Sequence, residues 1–181
     1  MRIIAGEFRG RVIKFPNSKA VRPTTDKVKE SLFNHLCNQM DFDSISVCDI
    51  YGGSGSLGLE TKSRGAGLVH FVENNFTCGK VLQENIDSLG VTESCYIYKL
   101  DAVKFSKLAT HNTYDLILAD PPFFKYDIYD VFNNLIENNF INPGGVLIIE
   151  RSIQTLDKDI FNFKAEPFKR IGDSCIFKFT F

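Results

Sequence analysis

From residue 45 onward the chain alternates between short apolar runs and amphipathic stretches, a pattern that few folds accommodate. Residues 45–50, 68–73, 96–100, 114–119 and 145–150 have the length and content of buried strands. Between them, residues 57–64, 76–89, 102–109 and 128–138 carry helical patterning, and in the second of these Val81, Leu82, Ile86 and Leu89 point inward. Strands and helices in strict succession predict a mostly parallel sheet with helical crossovers. The pattern then breaks. Two β-like runs, 163–171 and 174–181, flank Gly172-Asp173 and predict an antiparallel hairpin at the sheet edge, which brings the sheet to seven strands. Ahead of the alternation, residues 2–5 and 11–15 surround Gly6-Glu7-Phe8-Arg9-Gly10 and read as a small β-hairpin. Thr25 is placed to cap a helix in which Val28, Leu32, Leu36 and Met40 form an apolar stripe. The predicted organisation is a basic hairpin arm over residues 1–24 and an α/β domain over residues 25–181.

Charge separates the two parts. The 181 residues carry a formal net charge of −1, yet residues 1–30 hold eight basic groups against three acidic ones. A basic end on a mildly acidic body suits an arm that contacts phosphates, with Arg9, Arg11 and Arg22 as the candidates. A solvated hairpin is the competing reading. The five cysteines (Cys37, Cys48, Cys78, Cys95, Cys175) form no CxxC pair and no metal-ligand spacing with His35, His70 and His111. That predicts reduced thiols, no metal site and no catalytic histidine. No apolar run approaches the ~18 residues of a membrane span, and the first residues lack the apolar core of a signal peptide. The expectation is a cytoplasmic protein, monomeric by default.

The first predicted strand runs into Asp49-Ile50-Tyr51-Gly52-Gly53-Ser54-Gly55-Ser56-Leu57-Gly58. Glycines let the backbone approach a ligand, and the helix that follows offers free N–H groups. Gly53, Gly55 and Gly58 match G-x-G-x-x-G, and Glu73 lies 20 residues beyond Gly53, so the segment satisfies a dinucleotide fingerprint. Two acids discriminate between ligands. Asp49, at the strand tip, would repel a pyrophosphate and attract a ligand bearing an ammonium and a sulfonium. Asp101, followed by Ala102 after the third strand, is placed to accept from an adenine amino group, to cap the next helix, or both. Glu73 suits the two hydroxyls of a ribose. The set favours S-adenosylmethionine over NAD. Its candidate contacts are Asp49, Tyr51, Gly53, Ser54, Gly55, Glu73, Asn74, Asp101, Ala102 and Asp120.

After the fourth strand comes Asp120-Pro121-Pro122-Phe123. Each proline fixes its φ and lacks an N–H, so nearby carbonyls have few local donors. A carboxylate, a backbone carbonyl and an aromatic ring together suit the grip of a flat base by its exocyclic amino group. A strand-to-loop turn is the plain alternative.

Several longer segments point the same way. They are Met1-Arg2-Ile3-Ile4-Ala5-Gly6-Glu7-Phe8-Arg9-Gly10-Arg11, Arg22-Pro23-Thr24-Thr25-Asp26-Lys27-Val28-Lys29-Glu30-Ser31-Leu32-Phe33-Asn34 and Gly53-Ser54-Gly55-Ser56-Leu57-Gly58-Leu59-Glu60. Ser63-Arg64-Gly65-Ala66, the Asp120 tetrapeptide and Gly172-Asp173 continue the pattern. Together they resemble the RsmD family, bacterial methyltransferases that act on a guanine N2 of small-subunit (16S) ribosomal RNA. The resemblance runs the length of the chain, with Tyr51-Gly52 and Ser56 departing from the Phe-Ala and Ala expected there. It implies a Rossmann-like, class I, S-adenosylmethionine-dependent methyltransferase. Asp120 and the Pro121 carbonyl would accept from the N–H bonds of the amine, and Phe123 would stack on the base. The partner implied is 16S rRNA or an assembling small ribosomal subunit, held by the hairpin and Arg22-Pro23-Thr24 above the pocket. Lys125 and Tyr126 would flank the base or serve as ordinary loop residues. Glu150 would line the cleft or simply end its strand. The tetrapeptide itself grips either amine, so an adenine-N6 methyltransferase stays open at this point, as does a non-catalytic RNA-binding module of the same fold.

Overall fold

Apolar residues occupy both faces of the strand runs, so the strands need helices on both sides. They have them in the computed structural model, which describes residues 1–16, 26–122 and 124–181. The first half of the chain forms α1 (Asp26–Leu36), β1 (Ser46–Ile50), α2 (Ser56–Ser63), β2 (Leu68–Val72), α3 (Phe76–Leu89) and β3 (Cys95–Tyr98). The second half forms α4 (Ala102–Ser106), β4 (Tyr114–Ala119), α5 (Ile128–Glu137), β5 (Ile141–Ser152), α6 (Leu156–Phe163), β6 (Lys169–Ile171) and β7 (Ser174–Thr180). Seven strands make one sheet in the order β3-β2-β1-β4-β5-β7-β6. The first five are parallel; β7 runs antiparallel to β5 and to β6. Side-chain alternation divides the core between the two faces. Val47, Phe71, Leu116 and Leu118 pack with α1, α2 and α3, while Cys48, Ile50, Ile117 and Ala119 pack with α4, α5 and α6. After β3 the chain returns to the far side of β1 as β4. That reversal opens a crevice beyond the carboxyl ends of β1 and β4, where open α/β sheets bind ligands. Among the described residues no helix is long and apolar enough to cross a membrane.

The end of the chain departs from expectation. Residues 156–163 are helix α6, because Leu156, Ile160 and Phe163 recur at the helical period and turn inward. The Phe163 ring lies 5.1 Å from those of Phe132 and Phe177. The edge strand β6 is reduced to Lys169–Ile171. Strand β5 is longer than predicted at both ends, so Glu150 falls inside it, buried, and accepts from Ser174 Oγ at 2.7 Å instead of lining the cleft. Helix α1 stops at Leu36, and Met40 follows a turn. His70 is a core residue whose Nδ1 lies 2.8 Å from the Tyr114 hydroxyl. The cysteines are free thiols, with Cys37 exposed and the other four buried.

The N-terminal segment folds back antiparallel, but through a single bridge between Arg2 and Val12 in place of two paired strands. Its apolar side chains, Ile3 and Ile13, join the core beside α1. Its backbone is held by side chains of α2. Buried Glu60 accepts from Ile4 N at 2.8 Å and Ala5 N at 3.1 Å. The same carboxylate pairs with Lys29 at 3.3 Å and Arg64 at 2.9 Å. Ser63 Oγ accepts from Phe8 N and donates to Ala5 O, and the Ser63 carbonyl takes Glu7 N. Gly6 permits this contact: a Cβ there would fall 1.7 Å from the Ser63 carbonyl oxygen. The expected Thr25 cap lies outside the described residues.

Helix α2 itself sits unusually close to the sheet. A Cβ at Gly58 would lie 2.3 Å from the Phe71 ring and 3.1 Å from Asp49 Cβ. Phe71 is fully buried and has nowhere to move. Gly58→Ala gains up to about 1 kcal/mol of helix propensity but overpacks the contact at a cost of about 1–3 kcal/mol. We expect a net loss of stability, read as a lower urea midpoint at unchanged m-value.

Candidate active site

Strand register brings the predicted acids to one place. Ile50 pairs with Val72 on one side and Ala119 on the other. The residues that follow, Tyr51, Glu73 and Asp120, therefore leave the sheet at the same level. Asp49 lies two residues deeper along β1, buried on the α2 face, with Oδ2 accepting from Gly58 N at 2.8 Å. Burial pushes its carboxyl well above the ordinary value, and the charges of Asp120 and Glu73 push in the same direction. Three carboxyl groups thus share one crevice, and the charges of the other two disfavour ionisation of Asp49.

The glycine loop is shaped by these acids. Glu73 Oε2 accepts from Gly53 N at 2.9 Å, and Oε1 accepts from Asn75 N at 2.6 Å. Both oxygens are oriented by backbone amides and keep further lone pairs for a ligand. Gly53 adopts φ 55°, and a Cβ there would meet nothing closer than 3.9 Å, so space lies open above it. Ser54 is buried and its carbonyl accepts from Asn85 Nδ2 at 2.9 Å. Gly55 precedes α2 in the left-handed conformation, φ 85°.

Asp101 caps α4 through Val103 N at 3.0 Å. Its other oxygen faces Asn74 Nδ2 at 3.5 Å and Lys125 Nζ at 3.6 Å. Ala102 is buried as the first residue of α4. The cap reading of Asp101 is therefore realised, and one oxygen still faces the crevice rim. Tyr51 sends its phenol away from the glycine loop, donating to Asp127 Oδ1 at 3.0 Å. Lys125 pairs with Asp127 at 2.8 Å and lies 5.2 Å above the Tyr51 ring. So Lys125 and Asp127 fasten the loop after Pro122 to the ends of β1 and β3, a role the linear sequence did not reveal. Tyr126 is exposed beside Lys158.

Pro121 is buried and Pro122 exposed. The Pro122 carbonyl closes a turn with Lys125 N at 2.8 Å. Among the described residues, no backbone amide takes the Pro121 carbonyl. Phe123 lies outside the described residues, as does Arg22. Arg9 and Arg11 are exposed on the arm, and Arg11 Nη2 donates to Ser88 O at 2.7 Å. Among the described residues no group of three or more His, Cys, Asp or Glu is arranged to hold a metal ion.

A crowd of carboxyl groups in one crevice is costly to the fold and suits a ligand that brings positive charge or hydrogen-bond donors. The sign follows from the raised Asp49 carboxyl. Stability falls as pH rises from its ordinary value of 3.8 toward its raised value in the folded state. Asp49→Asn keeps an acceptor for Gly58 and does not titrate. We expect this variant to melt like the wild type in acid and at a higher temperature near neutral pH, measured by calorimetry across pH.

Comparison with known proteins agrees with this geometry. Residues 1–180 match the family described as conserved hypothetical protein 95. The chain is 37% identical over 153 residues to ribosomal RNA small subunit methyltransferase D of Haemophilus influenzae, covering 83% of this chain and 78% of that protein. Its Escherichia coli K12 namesake is 31% identical over 155 residues, 85% of this chain and 76% of that protein. Among solved structures, Escherichia coli yhhF superposes with a TM-score of 0.83 at 25% identity, over 99% of this chain and 97% of that one. A ribosomal protein L11 methylase from Lactobacillus delbrueckii subsp. bulgaricus shares the fold alone, with a TM-score of 0.70 at 17% identity over 88% and 79% of the two chains. The crevice, the glycine loop and the clamped N-terminal segment are thus those of a chain that belongs to the conserved hypothetical protein 95 family, the RsmD family.

Proposed function

We propose that this chain methylates the exocyclic N2 of a guanine in 16S ribosomal RNA, using S-adenosylmethionine. The observation that carries the reading is the convergence of Asp49, Glu73 and Asp120 at the switch point between β1 and β4. Relatives named as small-subunit ribosomal RNA methyltransferases support the substrate class. S-adenosylmethionine, when bound, supplies a methyl group activated by a sulfonium. Asp49 would attract its cationic end, Glu73 its ribose hydroxyls and Asp101 its adenine amino group. Gly53, Ser54, Gly55, Asn74 and Ala102 would complete that site, Tyr51 through its backbone.

The nucleophile needs help because its lone pair is delocalised into the guanine ring. The Asp120 carboxylate and the Pro121 carbonyl would accept from its two N–H bonds and turn the lone pair toward the methyl. Phe123 would stack on the base, which must leave its helix to enter the crevice. Alignment of this kind can contribute ~7–11 kcal/mol to lowering the barrier. Asp120 would also accept the proton once the nitrogen becomes cationic. The basic arm, residues 1–24, would hold RNA phosphates above residues 25–181 through Arg9, Arg11 and Arg22. The protein would act as a cytoplasmic monomer without a metal.

In cells lacking this protein, mass spectrometry of 16S rRNA should show loss of one N2-methylguanosine. An Asp120→Ala gene should fail to restore it, with transfer reduced at least ~10²-fold, while the purified variant still binds S-adenosylhomocysteine. Loss of N6-methyladenosine instead would reassign the base, and full activity of the variant would refute the role of Asp120. Replacing Arg9, Arg11 and Arg22 together by Ala should weaken RNA binding and reduce the log–log salt slope by roughly 2. An unchanged slope would remove the arm from the RNA site.

A further inference from the structure

Among the described residues Asn85 is the carboxamide that hydrogen-bonds to both the arm and the cofactor loop. It is 1% exposed, on the inward face of α3. Its Oδ1 accepts from Lys14 N at 2.8 Å, and its Nδ2 donates to Lys14 O at 3.0 Å and to Ser54 O at 2.9 Å. Lys14 ends the part of the arm that leads toward Arg22-Pro23-Thr24. Ser54 is the central residue of the glycine loop. Both donor hydrogens and one acceptor position of a single planar group are therefore divided between the two sites.

We propose that Asn85 is a positioning residue that couples RNA binding on the arm to cofactor binding in the loop, so that each ligand tightens the other. The proposal rests on the functional reading above, which puts RNA on the arm and S-adenosylmethionine at the loop. Two features make the link transmit and not merely hold. First, the other side-chain hydrogen bonds between α3 and this part of the arm, among the described residues, are exposed: Lys14 Nζ with Glu84 at 2.7 Å, and Arg11 Nη2 with Ser88 O at 2.7 Å. Contacts this exposed hold weakly, so phosphates can draw the Arg11 and Lys14 side chains away while the buried carboxamide keeps the Lys14 backbone. Second, Ser54 stands between Gly53 at φ 55° and Gly55 at φ 85°, so the loop carries few side-chain restraints of its own. Among the described residues Gly53 N donates to Glu73 Oε2, an atom the ribose would share, while Gly52 N to Val72 O and Gly55 N to Gly52 O tie the ends of the loop. The Asn85 bond to Ser54 adds a side-chain restraint between those ends. Coupling is reciprocal by thermodynamic necessity.

The test is equilibrium dialysis of tritiated S-adenosylhomocysteine with and without a 16S rRNA transcript. Wild-type protein should bind the probe about 5–150-fold more tightly when the RNA is present. Asn85→Ala and Asn85→Asp, the second of which keeps the Lys14 N–H bond and loses both donations, should bind each partner alone within about threefold. Their coupling ratio should fall toward one. Glu84→Ala, which frees only the exposed Lys14 side chain, should keep the wild-type ratio. A merely structural Asn85 would lower stability without changing that ratio. Independent binding of the two ligands by the wild type, or a wild-type ratio in both Asn85 variants, would overturn the proposal. Failure of the wild type to bind either probe would instead overturn the functional reading beneath it. Should neither variant fold, hydrogen exchange at the Lys14 amide of the wild type decides: S-adenosylhomocysteine should slow it, and unchanged exchange sinks the coupling.

Discussion

Everything functional in this protein depends on how closely α2 lies on the sheet. The contact is made at Gly58, where a hydrogen takes the place of a side chain and the Asp49 carboxylate reaches the helix backbone. Only at that spacing can the loop from Tyr51 to Gly55 pass over the ends of β1 and β2 and still be tied down by Glu73. The same eight-residue helix presents Glu60 and Ser63 at its other end, where they fasten the N-terminal segment. One short helix therefore sets the height of the glycine loop and the position of the arm together. Polar groups dominate its buried surface: Ser56, Glu60, Thr61 and Ser63 are all buried. They are tolerated because backbone amides, Lys29 and Arg64 satisfy so many of them.

Opposite charges are kept on opposite sides of this helix. Toward the crevice lie the carboxyl groups of Glu73 and Asp120, with Asp49 behind them, held above the ordinary carboxylate range by burial and by its neighbours. Toward the arm the charge is positive, with Arg9 and Arg11 exposed. A small, nearly neutral protein can in this way present an attractive potential to a cationic small molecule and to a polyanion, without either field cancelling the other at close range. Lys125 lies at the boundary and is neutralised on both sides by Asp101 and Asp127.

The alternation of strand and helix, the glycine loop and the acids at strand ends were legible in the sequence because each is a short-range pattern. The five parallel strands appear where the apolar runs predict them, and Asp101 caps α4 as one of its readings required. What the sequence concealed is tertiary. Helix α6 was hidden because its last residue, Phe163, also begins a plausible apolar β-run, and only the surrounding rings show that it turns inward. Glu150 looked like a strand end because Arg151 and Ser152 are polar, yet all three are buried between β5 and β7. Tyr51 has its phenol on Asp127, 76 residues away, which no local pattern announces. Asn85 did leave a trace: it stands three residues after Leu82 and beside Ile86, on the face that should be apolar. A polar residue on such a face is either an error of register or a buried hydrogen-bonding centre, and here it is the second.

The clamps on the N-terminal segment grip main chain: the amides of Ile4, Ala5, Glu7, Phe8 and Lys14, and the carbonyls of Ala5 and Lys14. Apart from Gly6 and the two buried isoleucines, they ask little of the side chains around them. Arg9 and Arg11 can therefore be exchanged for other residues without undocking the segment. Such a surface can change its side chains by point mutation, and with them its preference for the molecule it meets, while the main-chain clamps hold the segment in place.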